Sequence, residues 1–105
     1  MGDLYLNRDV KDSWLYADYQ VFSKWLSLVL LAHHEPTKIL IDGRLHHVPQ
    51  GCVAIELKDL AKMWNTKKGN VYHFLSLLEE DDLAKVGRVG RITFINIESR
   101  YVRMD

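Results

Sequence analysis

LAKMWNTKKGNVYHFLSLLEEDDL, residues 60–83, holds two apolar-periodic segments separated by a short polar break. In the first, Leu57, Leu60, Ala61 and Trp64 recur at helical spacing, and Asn65-Thr66 interrupts the pattern. In the second, Val71, Phe74, Leu75 and Leu78 fall at i, i+3, i+4 and i+7, which predicts one buried stripe on a helix over residues 67–80. The polar face of that helix begins with Lys67, Lys68, Asn70 and His73. Two helices joined by a tight turn, the second presenting such groups near its N-terminal end, form a helix-turn-helix pattern, and that end is where a recognition helix meets base edges.

Downstream, the acidic run Glu79-Glu80-Asp81-Asp82 is followed by two β-prone segments, Leu83–Val86 and Ile92–Ile97. Gly87-Arg88-Val89-Gly90-Arg91 joins them, and glycines at both ends of a basic turn predict a flexible, positively charged hairpin tip. Upstream, Cys52–Ile55 is a short β-prone run entered through the Pro49-Gln50-Gly51 turn. Before it, residues 38–41 and 45–48 flank Asp42-Gly43, a hairpin turn pair, and predict a two-stranded arm.

Residues 9–34 read as two helices with Asp18 as N-cap between them. Val10, Trp14 and Ala17 mark the first. Val21, Phe22, Trp25, Leu26, Val29, Leu30 and His33 mark the second. Leu28 and Leu31 make this second helix apolar nearly all round, so it is either central to the core or also faces a partner chain. The order of elements predicts an α+β fold, a winged helix-turn-helix with a helical N-terminal half and a C-terminal β-hairpin wing. One domain is expected over residues 1–105, its core at about 5–101, its helix-turn-helix at about 56–80 and its wing at about 83–97.

Composition sets limits on the partners. The 48% hydrophobic content excludes a disordered chain, and 14 basic against 14 acidic residues leave no global field for nucleic acid or an anionic membrane. Attraction to DNA must therefore be local. Residues 62–105 carry 8 basic and 6 acidic side chains, net +2, against −2 for residues 1–61. The longest apolar run, Leu28–Ala32, is far below a membrane span, and the N-terminus lacks the order of a signal peptide. The single cysteine, Cys52, excludes an internal disulfide and fits a reducing compartment, so a cytoplasmic location is expected and no membrane partner.

The layout, together with particular residues, resembles the N-terminal winged-helix domain of DnaD-like replication-initiation proteins of bacteria, phages and mobile elements. The resemblance runs from about Tyr5 to Tyr101. Tyr5-Leu6-Asn7-Arg8 and Ser13-Trp14-Leu15 match the family's opening strand and helix, and Trp25, Leu30, Leu31, Ala32 and His34 match the next helix. Gly51, Leu60-Ala61, Trp64, Val71, Phe74-Leu75 and Leu78-Glu79 match the helix-turn-helix, while Thr93-Phe94-Ile95-Asn96-Ile97 and Tyr101 match the closing strand. Three positions depart from the pattern. Glu56 and Lys67 stand where the family usually has serine caps, so Asn65 or Thr66 must cap the second helix, and Gly69 occupies its first turn at a cost of about 1 kcal/mol relative to Ala. The resemblance implies a DNA-binding domain of replisome-organiser type, in proteins that commonly carry a second, C-terminal domain.

The DNA-binding residues expected on this reading are Lys62, Lys67, Lys68, Asn70, His73, Lys85, Arg88 and Arg91, facing double-stranded DNA. The cations would contact phosphates, and Asn70 and His73 are the side chains able to hydrogen-bond a base edge. Six phosphate contacts would give a log–log salt slope of roughly −5. Two alternatives share the fold: a protein-docking or oligomerisation module of a replication complex, and a small transcriptional regulator. For the first, Leu28, Leu31, Tyr72 and Leu77 are the expected interface residues, with a homodimer or replication proteins as partners. The pairs His33-His34 and His46-His47 lack ligand spacing, since adjacent helical side chains diverge by about 100°, so no metal is expected. No catalytic constellation or phosphate-binding glycine loop is present, so neither enzymatic activity nor a cofactor is expected.

Overall fold

The computed structural model describes residues 3–104, so the outermost residues of the expected 1–105 domain lie outside it. The strands are β1 (Leu4–Leu6), β2 (Thr37–Ile41), β3 (Arg44–Val48), β4 (Cys52–Ile55), β5 (Ala84–Val89), β6 (Ile92–Ile97) and β7 (Val102–Met104). The helices are α1 (Tyr19–Leu31), α2 (Leu57–Met63) and α3 (Lys68–Glu80). The fold is α+β, with three antiparallel sheets of order β1-β7, β2-β3 and β4-β6-β5.

The stops of α2 and α3 each have a local cause. At the end of α2 the amides of Asn65 and Thr66 donate to the carbonyls of Lys62 and Ala61, at 3.2 and 2.9 Å, while Asn65 sits at φ 51°. That is a Schellman stop with asparagine at the left-handed position. The same device ends α3: Asp82, at φ 54°, and Leu83 donate to Glu79 and Leu78 at 3.0 and 2.8 Å. The expected caps before α3 do not form. Lys67 is the N-cap without a side-chain bond, and the Thr66 hydroxyl instead accepts from Asn70 Nδ2 at 2.9 Å.

Two hairpins follow the sequence closely. Asp42 and Gly43, both at positive φ, close β2 onto β3 with Ile41 opposite Arg44, as the turn pair predicts. The basic hairpin is tighter than expected. Pairing continues through Gly87 opposite Phe94 and Arg88 opposite Thr93 to Val89 opposite Ile92, so Arg88 lies in a strand and only Gly90-Arg91 turn. Nor does the tip stand free, since a Cβ at Gly90, φ +58°, would meet Asp42 Oδ2 at 3.0 Å, so the arm's turn braces it.

The N-terminal half differs more. Instead of an α-helix, residues Arg8–Asp12 and Trp14–Tyr16 form two short 3-10 turns split at an extended Ser13. Polar side chains take over the backbone here: Asn7 Oδ1 accepts from the Asp9 amide at 2.8 Å and Ser13 Oγ donates to the Val10 carbonyl at 2.7 Å. Helix α1 starts at the expected Asp18 cap but stops at Leu31. Beyond it, the His33 amide donates to the Cys52 carbonyl at 3.0 Å and its carbonyl accepts from the Gly51 amide at 2.8 Å, so the chain runs beside β4. Leu4–Leu6, where the resemblance implies an opening strand, pairs as β1 with β7, Tyr5 opposite Arg103.

The core gathers Leu15, Trp25, Leu28, Leu60, Val71, Leu78, Leu83 and Ile95, all at 1% exposure or less. Leu28 is therefore not an interface residue: α1 turns Trp25, Leu28 and Val29 inward at spacings of three and four, and Leu30 outward at 69% exposure. Leu31, at 39%, remains accessible. Cys52 is buried too, and burial pushes its thiol above the ordinary value, against a smaller opposing pull from the Ile95 backbone.

Two outcomes follow from this packing. Leu28→Ala should lose about 2–5 kcal/mol in urea unfolding, whereas Leu31→Ala should stay within about 0.5 kcal/mol of wild type. A thiol whose folded value is raised stabilises fully below the unfolded value, and that stability is lost as pH rises through the folded value. Across the alkaline range, wild type should therefore lose stability relative to Cys52→Val, read as the difference between two denaturation series.

Candidate nucleic-acid interface

The exposed side of α3 is not one surface but two flanks. At roughly 100° per residue, Asn70 and Tyr72 point to opposite sides of the helix, with Gly69, His73 and Ser76 between them. The Tyr72 flank, which includes Lys68, faces the β5–β6 hairpin across a groove. The Asn70 flank lies away from it.

Strand alternation sorts the hairpin's cations in the same way. Arg88 shares a face of β5 with Val86 and the buried Ala84, toward α3, while Lys85 projects from the other face. Lys85 Nζ lies 4.0 Å from a Glu98 carboxylate oxygen. Arg91, at the turn, reaches Glu56 at 3.7 Å, and Glu56 also pairs with Lys58 at 3.5 Å. Lys68 and Arg88 form no ion pair among the described residues; Arg88 Nε donates to the Gly90 carbonyl at 3.2 Å. Of the eight expected residues, the groove thus brings together Lys68, Arg88 and Arg91. Lys62 and Lys67 are exposed outside it, as are Asn70 and His73, and Lys85 belongs to the far side of the sheet.

Asn70 keeps part of its hydrogen-bonding capacity. Its bond to Thr66 engages one amide hydrogen and leaves the other, with the carbonyl oxygen, for a further partner. Tyr72, expected as a protein-interface residue, stands in the groove at 57% exposure, and Leu77 is half-buried. Lys58 and Thr93 also line the groove and were not among the expected residues. Lys58 shares the groove because Ile55 pairs with Thr93, which starts α2 beside the hairpin's turn end, a placement that only the tertiary fold supplies.

The acidic run at the end of α3 has structural partners. Asp81 Oδ2 accepts from the Trp14 indole at 2.9 Å and lies 3.3 Å from the Arg100 guanidinium, which also donates to the Asp81 carbonyl at 2.7 Å. Contact with Tyr101 foremost, and with Asp81, holds Arg100 above its ordinary value, so its charge is constant. Glu79 accepts from the Val86 amide at 3.2 Å and so ties α3 to β5. Among the described residues no group of three or more His, Cys, Asp or Glu side chains could hold a metal ion. No helix among them is long and apolar enough to cross a membrane.

In comparisons with known proteins, no family model, no curated protein and no solved structure matches the chain. The Asp81 contacts carry their own expectation: Asp81→Ala leaves the Trp14 indole without its acceptor. It should lower stability by about 1–3 kcal/mol in thermal or urea unfolding, with Glu80→Ala, exposed at the end of α3, close to neutral.

Proposed function

We propose that this chain is a winged-helix DNA-binding module of the replication-initiation, replisome-organiser type that its sequence resembles. On this reading α2 and α3 are the helix-turn-helix, α3 enters the major groove of double-stranded DNA, and the β5–β6 hairpin is the wing along the backbone. The observation that carries it is the meeting of Lys68 from α3 and Arg88 from the hairpin, two cations without carboxylate partners among the described residues, across one groove. Asn70 and His73 on the exposed N-terminal half of α3 supply base-edge hydrogen bonding, and phosphate contacts set register. The module would position an assembly in the cytoplasm, at an origin or on a mobile-element genome, and do no chemistry of its own.

The ion pairs lower the expected electrostatic contribution. With Lys85 and Arg91 already paired, Lys62, Lys67, Lys68 and Arg88 are the cations left for phosphates, which gives a log–log salt slope of roughly −4 instead of −5. A small set of contacts on a chain of zero net charge fits micromolar affinity.

Fluorescence anisotropy of labelled duplex DNA over a salt series tests the reading. Lys68→Ala with Arg88→Ala should weaken binding on all sequences and make the slope shallower by about 2, whereas Asn70→Ala should chiefly relax sequence preference. Unchanged affinity and slope in the double variant would overturn the assignment.

A second reading, self-association as a docking module, draws on the arm. Leu40 and Leu45 are cross-strand partners on β2 and β3 and stand 70% and 68% exposed. Sedimentation at high salt distinguishes it: a dimer abolished by Leu40→Lys with Leu45→Lys would favour that reading.

A further inference from the structure

The groove between α3 and the β5–β6 hairpin has two parts with different chemistry. Its closed end is a pocket of about 190 Å³ with apolar walls from Leu57, Leu75 and Val86 and with Thr93 at its base. That is below the roughly 300–1,000 Å³ of sites for drug-sized ligands, so it admits about one ring. The open end, about 400 Å³, is lined by Lys58, Lys68, Gly69 and Arg91. Tyr72, Leu57 and Arg88 line both parts and make them continuous.

Three features of this groove go unused by a helix lying in a major groove. Tyr72 offers an exposed ring at the junction of the two parts, and base pairs stacked in a duplex present edges, not faces, to it. Gly69, three residues before Tyr72, has an ordinary helical φ and open space where a Cβ would stand. No backbone need explains it, and it leaves the side of the helix next to Tyr72 open. Thr93 is 3% exposed and its hydroxyl has no hydrogen-bond partner among the described residues, an unmet donor and acceptor at the pocket base. The carboxylates that reach the groove are engaged already, Glu56 by Lys58 and Arg91 and Glu79 by the Val86 amide.

An aromatic face beside a one-ring pocket, with cations along the adjoining trough, is the chemistry that recognises an unpaired nucleotide: the base stacks and the backbone phosphates follow the positive trough. We infer that this groove binds an unpaired base of DNA on Tyr72, with the flanking phosphates on Lys68 and Arg88. The module therefore prefers a duplex that carries a single-stranded segment to a continuous duplex. This inference rests on the DNA-binding reading above and narrows its substrate.

Anisotropy titrations with a continuous duplex, the same duplex with a short single-stranded tail, and the tail alone test it. Wild type should bind the tailed duplex about tenfold tighter than the continuous one. Tyr72→Phe should keep that preference, and Tyr72→Ala should abolish it, so that tailed and continuous duplex bind alike, since stacking on a ring needs the ring and not the hydroxyl. Tyr72 is exposed, so these variants keep the fold, which circular dichroism verifies. Equal affinity for the two duplexes, or a tail preference that survives Tyr72→Ala, overturns the inference while the DNA-binding reading stands. No binding to any of the three DNAs at low salt overturns both.

Discussion

The packing of Phe74 sets the position of nearly everything else. Its ring lies edge-on between two tryptophans, Trp64 at 5.7 Å and Trp14 at 6.4 Å. Each tryptophan is held by its indole N–H: Trp64 donates to Ser27 of α1 at 2.8 Å and Trp14 to Asp81, just past α3, at 2.9 Å. Edge-to-face pairs of this kind add about 0.5–1.5 kcal/mol each beyond the area they bury. Their more important effect is directional. Phe74 can stay between the two rings at only one rotation of α3, and that rotation decides which residues face the core and which face the groove. Lys24, 6.0 Å from the Trp64 ring and 5.9 Å from that of Phe74, lays its charge over the same cluster from α1.

The helix stops translate this rotation into a surface. A Schellman stop ends a helix within one residue, so α2 gives way to α3 after only four intervening residues and α3 gives way to β5 after three. Leu83 then enters the core at once and its carbonyl accepts from the Glu98 amide at 3.0 Å, which fastens the start of β5 to the end of β6. With no slack at either end, the hairpin has one place beside α3. The groove between them is thus a product of turn geometry, and its width is kept by Glu79 bonding to the Val86 amide and by the arm's turn meeting the hairpin tip at Gly90.

The sequence revealed most where periodicity was strong. The stripe of Val71, Phe74, Leu75 and Leu78, the Asp42-Gly43 turn and the Asp18 cap all appear in the structure as their spacing and chemistry predict. It revealed less where two local preferences competed. Val10, Trp14 and Ala17 have helical spacing, but Asn7 and Ser13 offer side-chain bonds that hold the backbone in 3-10 turns. In α1, an almost continuous apolar run cannot say which side is inward, and so Leu28 read as available surface and Leu30 as core. The site was legible in residue types and not in partnership. A list of cations does not show that Glu98 lies beside Lys85 or Glu56 beside Arg91, because these pairs span 13 and 35 positions of chain.

That partnership bears on how a neutral protein could hold an anionic polymer. Exposed ion pairs contribute little to stability, but each lowers the field its cation projects, so the effective positive surface is smaller than the composition of residues 62–105 indicates. A surface of this kind steers an anionic ligand weakly, so on the proposed reading part of the affinity would have to come from contacts that salt does not screen. Stacking on Tyr72 and burial against Leu57, Leu75 and Val86 are contacts of that sort, and a paired, stacked base can reach neither of them. On the proposed reading, the near-neutral charge and the aromatic groove would be two sides of one arrangement: weak attraction to DNA in general, with the selectivity left to the strand whose bases are free to turn outward.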